Sequence, residues 1–421
     1  MIYIAYKPYA VIINKNEDKK MSGSSFGTLF KISTWGESHG KALGVVIDGC
    51  PAGIPLCEDD FSEDMKRRAP GQTKYATPRK EADEVEILSG VFEGKTTGTP
   101  ISLMIKNTSQ RSGDYSEVAS YYRPGHADYG FDAKFGFRDY RGGGRSSGRE
   151  TAARVAAGVV AAKLLAELGI KTTAYVKQIG PYTCEKNVYS RQAGKEDSSK
   201  IEKYIPERDI IEISPLRMPD PDASQKAEEY LMDCIQENNS SGGLIECVIT
   251  GVPAGVGDPV FDKLDALLGQ ALFSIGAVKG VEIGAGFSVV ESKGLDNNDS
   301  FLSQSETSSN MDNKNAPDVN TEVPDAIKET NNSGGILGGI SDGDDIIIRA
   351  AFKPTPSISA EQQTVNKDGK PVTISVKGRH DPIIVARAVV VVEAMTNIVL
   401  ADRLLVGMSA KLDRIKDFYK K

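Results

Sequence analysis

Two long stretches of this chain are apolar on nearly every helical face. Residues 150–168, ETAARVAAGVVAAKLLAEL, and 383–405, IIVARAVVVVEAMTNIVLADRLL, place Ala, Val, Leu and Ile where a surface helix would carry charge. A helix that is hydrophobic all round belongs inside a core, so both are predicted to be buried. Pro382 is expected in the first turn of the second, where its missing N–H costs nothing. Between them, GLIECVITGVP from Gly243 and DDIIIRAAFKP from Asp344 are short runs rich in Ile and Val, bounded by Gly or Pro, and read as strands. Long buried helices beside short apolar strands, without regular βαβ alternation, favour an α+β sandwich over a doubly wound sheet.

Two regions break this pattern. From about 297 to 332 the chain is rich in Asn, Ser, Asp and Glu with few large apolar side chains. Such a segment cannot bury enough surface to offset its ordering entropy, so a disordered surface insertion is expected there. Residues 1–20 are read as an N-terminal extension, disordered or the product of a misassigned start, because Met21 opens MSGSSFGTLFKISTWGESHG, a complete beginning of its own. Lys7 and Pro8 interrupt its apolar content and no small-residue cleavage site follows, which argues against a signal peptide.

Composition narrows the class. Of 421 residues, 39% are hydrophobic and 26% charged, with a formal net charge of −7. That balance gives no general attraction to nucleic acid, so any anion must be held by local clusters. The five cysteines are scattered without CxxC or Cys/His metal spacing, so no metal site is expected and a reduced, cytoplasmic setting fits. No stretch reaches the roughly 20 apolar residues of a membrane span.

Candidate chemistry sits in polar loops. The three histidines lie in GESHG (His39), RPGHADYG (His126) and KGRHDP (His380), each beside acids, arginines or tight turns. A side chain that titrates near neutral pH, used so sparingly and always in this setting, points to an enzyme. RGGGRSSGRETAARVAAG leads a glycine-rich loop into the first apolar helix, so backbone N–H groups, Ser146, Ser147 and the arginines Arg141, Arg145 and Arg149 converge near a helix N-terminus. That is an anion site, and it is neither a Walker A loop nor a dinucleotide fingerprint. Three more segments are suggestive: the basic run KRRAPGQTKYATPRKEAD from Lys66, the glycines of NNSGGILGGISDG from Asn331, and the proline-stiffened KPTPSIS from Lys353.

Taken in order, GESHGKALGVVIDGCPAG, RPGHADYG, RDYRGGGRSSGRETAARVAAG, SIGAVKGVEIG, NNSGGILGGIS, FKPTPSI and KGRHDPIIVARAVVVVEAM resemble the chorismate synthase family, from Met21 to about Leu405. The resemblance implies a single domain over 21–421, in which helices are sandwiched between two antiparallel sheets, assembled as a homotetramer. It implies conversion of 5-enolpyruvylshikimate 3-phosphate into chorismate and phosphate by a 1,4-anti elimination that requires reduced FMN without net redox change.

Residue by residue, the resemblance implies that His39 serves the departing phosphate, that Asp381 accepts the ring proton onward, and that His126 manages protonation at the flavin. Ser38, Arg68, Lys74, Arg149 and Arg379 would bind substrate. FMN would touch Arg145, Ser146, Ser147, Gly276, Ala277, Gly338, Lys353, Pro354, Thr355, Pro356, Ser357 and Arg379, and His380 would orient Asp381 or Arg379. At Gly276 some relatives carry Asn, and Lys74 replaces a frequent arginine, so one flavin contact is left to the backbone and one anion contact to a point charge. NAD(P)H would act only indirectly, through an external flavin reductase, and neither nucleic acid nor membrane is an expected partner. A histidine-dependent phosphoryl enzyme and a non-catalytic flavin- or nucleotide-binding module are the rival readings; a requirement for reduced flavin in turnover separates them.

Overall fold

The structure is a computed structural model that describes residues 23–76, 81, 83–108, 117–186, 188–191, 201–302, 327–376 and 381–420. Ten strands build its two principal sheets: β1 (Ser25–Phe26), β2 (Lys31–Gly36), β3 (Ala42–Asp48), β4 (Val85–Ser89), β5 (Ile101–Lys106), β6 (Lys171–Ile179), β7 (Tyr182–Thr183), β8 (Gly243–Thr250), β9 (Val278–Ile283) and β10 (Ile346–Phe352). The first sheet runs β1-β2-β3-β5-β4 and the second β9-β10-β8-β6-β7, with every pairing antiparallel. The helices that position the site are α1 (Ser62–Arg68), α2 (Asp128–Phe135), α3 (Thr151–Ala166), α4 (Leu264–Phe273) and α5 (Val385–Gly407).

Strand alternation explains the layering. On β3 and β5 the pairs Leu43–Ile105, Val45–Leu103 and Ile47–Ile101 stand on one face, and all six side chains are buried. On β8, Ile245, Cys247 and Ile249 enter the same main core, whereas Glu246 points to the other face with its register neighbours Tyr175 and Arg349. Helix α3 packs on β3 and β5, α5 packs on β6 and β8, and the two helices pack on each other. The expected sandwich of helices between antiparallel sheets is therefore present, with α3 and α5 as its filling.

Small residues let the two helices meet. A Cβ at Gly158 would lie 2.3 Å from Cβ of Ala394, so the backbones cross at a point where one side chain is already too many. Three polar residues of α5 tie it to its neighbours. Glu393 pairs with Arg67 of α1 at 2.5 Å and accepts from the Ala174 N–H at 2.9 Å. Asn397 meets Thr172 at 2.6 Å, and Asp402 Oδ1 accepts from the three consecutive N–H groups of Thr28, Leu29 and Phe30. Charged-group hydrogen bonds of this kind offset burial of the carboxylates and pin the second sheet and the N-terminal strands to the central helix.

Pro382 departs from expectation. It lies ahead of α5, where its carbonyl accepts from Ser241 N–H at 2.9 Å, and the helix begins at Val385. The polar region around 297–332 is described only at its two ends. There Phe301–Leu302 pairs antiparallel with Ile327–Lys328, and Asp299 accepts from Thr330, Asn332 and Ser333. Residues 1–20, and with them the expectation about an extension, lie outside the described residues.

Candidate active site

His39 sits in the turn between β2 and β3 and is buried. Asn107, just past β5, shapes that turn by donating to the carbonyls of Glu37 at 3.0 Å and Gly40 at 2.9 Å. The glycine-rich loop then closes on the imidazole. Ser38 Oγ donates to Gly142 O at 3.2 Å, and a Cβ at Gly142, whose φ is +61°, would come within 2.6 Å of His39 Nε2. Only a residue without a side chain fits there. Arg141 holds the Asp139 carboxyl below its ordinary value despite partial burial, and nearby His39 acts in the same direction.

The next residue of the loop faces the second histidine. A Cβ at Gly143 would stand 3.2 Å from Ser146 Oγ and 3.5 Å from His126 Nε2. His126 Nδ1 lies 2.9 Å from Asp128 Oδ1 and 3.0 Å from Arg123 Nη2. Asp128 also accepts from Arg123 Nε and Nη2, each at 2.8 Å. Burial works against its charge, but the hydrogen bonds from Arg123 and His126 hold its carboxyl far below the usual range. Contact with a fixed carboxylate favours a proton on Nδ1, which leaves Nε2 on the side of the glycine loop.

A third loop completes this side. Lys353 Nζ donates to Gly125 O at 2.7 Å, and Lys353 N–H donates to Ala277 O at 2.9 Å. Burial, with Lys279 adding, lowers the Lys353 pKa. Ala277 holds φ +77°, a left-handed conformation costly for a residue with a side chain and frequent at functional sites. Arg154 of α3 anchors the preceding turn through Ser274 Oγ at 2.6 Å. Thr355 Oγ1 is buried with no partner among the described residues.

A buried guanidinium cluster lies beyond His39. Arg149 donates from Nε to Asn107 Oδ1 at 2.9 Å, so one asparagine ties the histidine turn to this arginine. Its Nη2 pairs with Glu81 at 2.8 Å and its Nη1 with Asp83. Asp83 also pairs with Arg68 Nη2 at 2.5 Å. Arg387 donates to the Arg68 carbonyl at 3.2 Å and pairs with Asp381 at 2.8 Å, which brings Asp381 to the edge of the cluster. Complete burial, with Arg387 and Arg149 adding and Asp83 opposing, pulls Arg68 down to about 10.

The structure thus gathers His39, Ser38, Arg68, Arg149 and Asp381 along one connected set of contacts, and His126, Ser146, Ala277 and Lys353 along another. The backbone of Gly142 and Gly143 joins them. Other residues singled out from the sequence stand elsewhere. Lys74 is exposed over the ring of Tyr75. Arg145 turns to β2, donating to Thr34 Oγ1 at 2.7 Å and Gly36 O at 3.1 Å, and Ser147 Oγ accepts from the Arg149 N–H. Gly338 lies in a hairpin near the Ile346 end of β10, where Ile347 N–H meets Gly334 O, whereas Lys353 follows the opposite end of that strand. Arg379 and His380 lie outside the described residues.

Sequence reasoning missed Asn107, Asp83, Glu81, Arg154 and Arg387. Asp128 and Arg123 were inside a motif already noted, and Glu81 and Asp83 form an acidic patch at the end of the basic run, a signal that was there to be used. Among the described residues no His, Cys, Asp and Glu group could hold a metal ion, and no helix is long and apolar enough to cross a membrane.

The family model for chorismate synthase matches residues 30–405. A chorismate synthase of Lachnoclostridium phytofermentans is 61% identical over 401 residues, covering 95% of this chain and all of the relative. One of Agathobacter rectalis is 58% identical over the same span. A crystal structure of chorismate synthase aligns with TM-score 0.67 at 30% identity, covering 93% of this chain and 96% of the other. Together with the fold, these matches define a lyase of the shikimate pathway, the route to the aromatic amino acids. The chain belongs to the chorismate synthase family.

Proposed function

We infer that this chain converts 5-enolpyruvylshikimate 3-phosphate into chorismate and inorganic phosphate, with reduced FMN bound but not consumed. The observation that carries the reading is the placement of His39 and His126 on either side of the Gly142–Gly143 backbone, with the buried Arg68–Arg149 pair linked to His39 through Asn107. In the reaction the carbon–oxygen bond to phosphate breaks, the phosphate leaves with the electron pair, and a proton leaves C6 of the ring.

The residues suit each demand. Arg68 and Arg149, buried and balanced by Asp83 and Glu81, offer the substrate's oxyanions charge-assisted N–H donors. His39, backed by Gly142 and near Asp139, hydrogen-bonds or protonates the departing phosphate. Asp381, held by Arg387, accepts the ring proton onward.

The loops around His126 fit a flavin: Ala277 in a left-handed conformation, the unpartnered Thr355 hydroxyl, and the close approach permitted by Gly143 form a cradle with one acceptor-seeking group. Ser146, Ala277 and Lys353–Ser357 would hold it, and reduced FMN, when bound, would supply an electron-rich ring with a basic nitrogen to the elimination. Arg145 is engaged by Thr34 and Gly36, and Gly338 lies in the hairpin near the other end of β10, so neither is counted among the residues that would hold it.

Homotetramer formation in the cytoplasm follows the family, and exposed Phe261, Phe287, Val290 and Leu295 support an oligomeric surface. Antiparallel sheets, unlike the parallel βαβ units of dinucleotide folds, support flavin reduction by an external NAD(P)H-dependent reductase. The deciding experiment is anaerobic assay of the purified chain with substrate and photoreduced FMN, following chorismate absorbance. Chorismate without flavin, or phosphate release without chorismate, overturns the reading; turnover from oxidised FMN and NADPH with no added reductase overturns the reductase assignment alone.

A further inference from the structure

We propose that Asp83 is a specificity-determining positioning residue: its one carboxylate, shared by Arg68 and Arg149, sets the spacing of the two guanidiniums for a substrate oxyanion and cancels charge that would draw in free phosphate. The inference rests on the reading of those arginines as substrate-binding.

Asp83 is buried beside both arginines, and its backbone holds φ +53°. Non-glycine residues rarely adopt that conformation, Asp and Asn being among the more tolerant. The strained backbone places Oδ2 2.5 Å from Arg68 Nη2 and Oδ1 against Arg149 Nη1. Arg149 is then held from three sides, by Asp83, by Glu81 at 2.8 Å and by Asn107 at 2.9 Å. Arg68 is held from one. Its Nε and Nη1 are buried with no partner among the described residues. A fully buried guanidinium with two open nitrogens is built for a ligand, because leaving such donors unmade costs more than a hydrogen bond returns.

The charges refine the point. Asp83 and Glu81 balance Arg68 and Arg149, so this buried cluster would attract an anion through directed N–H groups and not through excess positive charge. A substrate anchored elsewhere by the rest of its structure meets those groups in register; inorganic phosphate, with no second anchor, gains little. Among the described residues the Asp83 carboxylate pairs with Arg68 and Arg149 and acts through them.

Isothermal titration of the full-length chain with 5-enolpyruvylshikimate 3-phosphate, and separately with inorganic phosphate, tests this. Asp83→Asn keeps size and tolerance of the backbone but removes the charge: substrate affinity should fall at least tenfold, while phosphate affinity holds or rises. Asp83→Glu keeps the charge, which protects the fold, but lengthens the reach; substrate affinity should fall several-fold with phosphate affinity unchanged. Equal loss of both ligands in a folded variant would mark a merely structural role, and wild-type substrate affinity in either variant would overturn the proposal. Arg68→Ala separates the two layers. Unchanged substrate binding in Arg68→Ala sinks the arginine reading itself, whereas loss there with retention in Asp83→Asn sinks only the role of Asp83.

Discussion

Arg67 and Arg68 are consecutive, both buried at the end of α1, and electrostatically opposite. Burial works against the charge of Arg67, yet Glu393 above all, with Asp64 and Glu212, raises its pKa. For Arg68 burial prevails, with Asp83 as its one carboxylate, and the pKa falls to about 10. The first guanidinium faces α5 and is used up in holding the molecule together; the second turns to Asp83 beside Arg149, and its Nε and Nη1 have no partner among the described residues. One step along a helix turns a side chain by about 100°, which is enough to move it from scaffold to site. A basic run in a sequence is therefore not a unit of function.

Removing each arginine should give the largest effects. Arg67→Ala leaves the buried Glu393 carboxylate with only a longer contact to Arg208, at 3.6 Å, and breaking such a buried pair costs about 3–5 kcal/mol, readable by urea denaturation. Arg68→Ala should cost less than half as much, because Asp83 keeps Arg149 and the open nitrogens are removed, while substrate binding is lost. Equal stability losses would erase the distinction.

His39→Ala sharpens the same contrast from the catalytic side. Turnover should drop by about 10²- to 10⁴-fold, the usual worth of a positioned acid, with a far smaller stability change than Arg67→Ala. The wild-type rate should also fall on the alkaline side with an apparent pKa that the variant lacks. Anaerobic stopped-flow across pH decides it; an unchanged rate would remove His39 from the chemistry.

Much of this layout was legible beforehand, for definite reasons. Helices α3 and α5 announced themselves because burial on all faces leaves no polar stripe, and β8 and β10 because Ile and Val runs ended at Gly or Pro. The first sheet did not stand out from its residues alone; the two-sheet layout came only with the family resemblance. The division between Arg67 and Arg68 was invisible because charge pairing depends on residues over 100 positions away, Glu212 and Glu393. Asn107 and Arg387 were missed for a similar reason. Each works by bridging segments that meet only in the fold.

Asp128 offers a test by pH. Its folded carboxyl lies below the ordinary value of about 3.9 because of Arg123 and His126, burial opposing. The stability it contributes is thus present above the unfolded value and lost as pH falls through the folded one. Asp128→Asn should melt below wild type at pH 7, by the equivalent of about 1–3 kcal/mol for unpaired buried donors. The two melting temperatures should converge as pH drops below about 4. A gap that stays constant to pH 2 would mean the aspartate acts through shape and not charge.

Gly158→Ala probes the scaffold where no charge is involved. Helix propensity alone would favour alanine by about 0.5–1 kcal/mol, but the new Cβ would fall 2.3 Å from Ala394 Cβ. Overpacking costs about 1–3 kcal/mol, so net destabilisation is expected in chemical denaturation. A stabilised variant would show that α3 and α5 slide apart freely, and the rigid filling assumed for the sandwich would be wrong.

The smallest effect should come from removing 303–326 and joining Leu302 to Ile327 through a two-residue Asn-Gly turn. Leu302 already pairs with Ile327, so their backbones stand at hairpin separation. The cut must stop short of Asp299, which orders Thr330, Asn332 and Ser333 ahead of the Gly334 turn, and of Lys328, whose ammonium pairs with Asp342 at 2.7 Å and Asp344 at 3.1 Å. Loop closure changes by only about 0.6 kcal/mol per doubling of length, so shortening this loop should stabilise by about 2 kcal/mol at most. Flavin affinity should stay within about twofold of wild type in fluorescence titration. A tenfold loss in a folded deletion variant would place these residues over the flavin pocket, and a wild-type result extended to an Asp299→Ala variant would show that the neck does not govern the glycine turn.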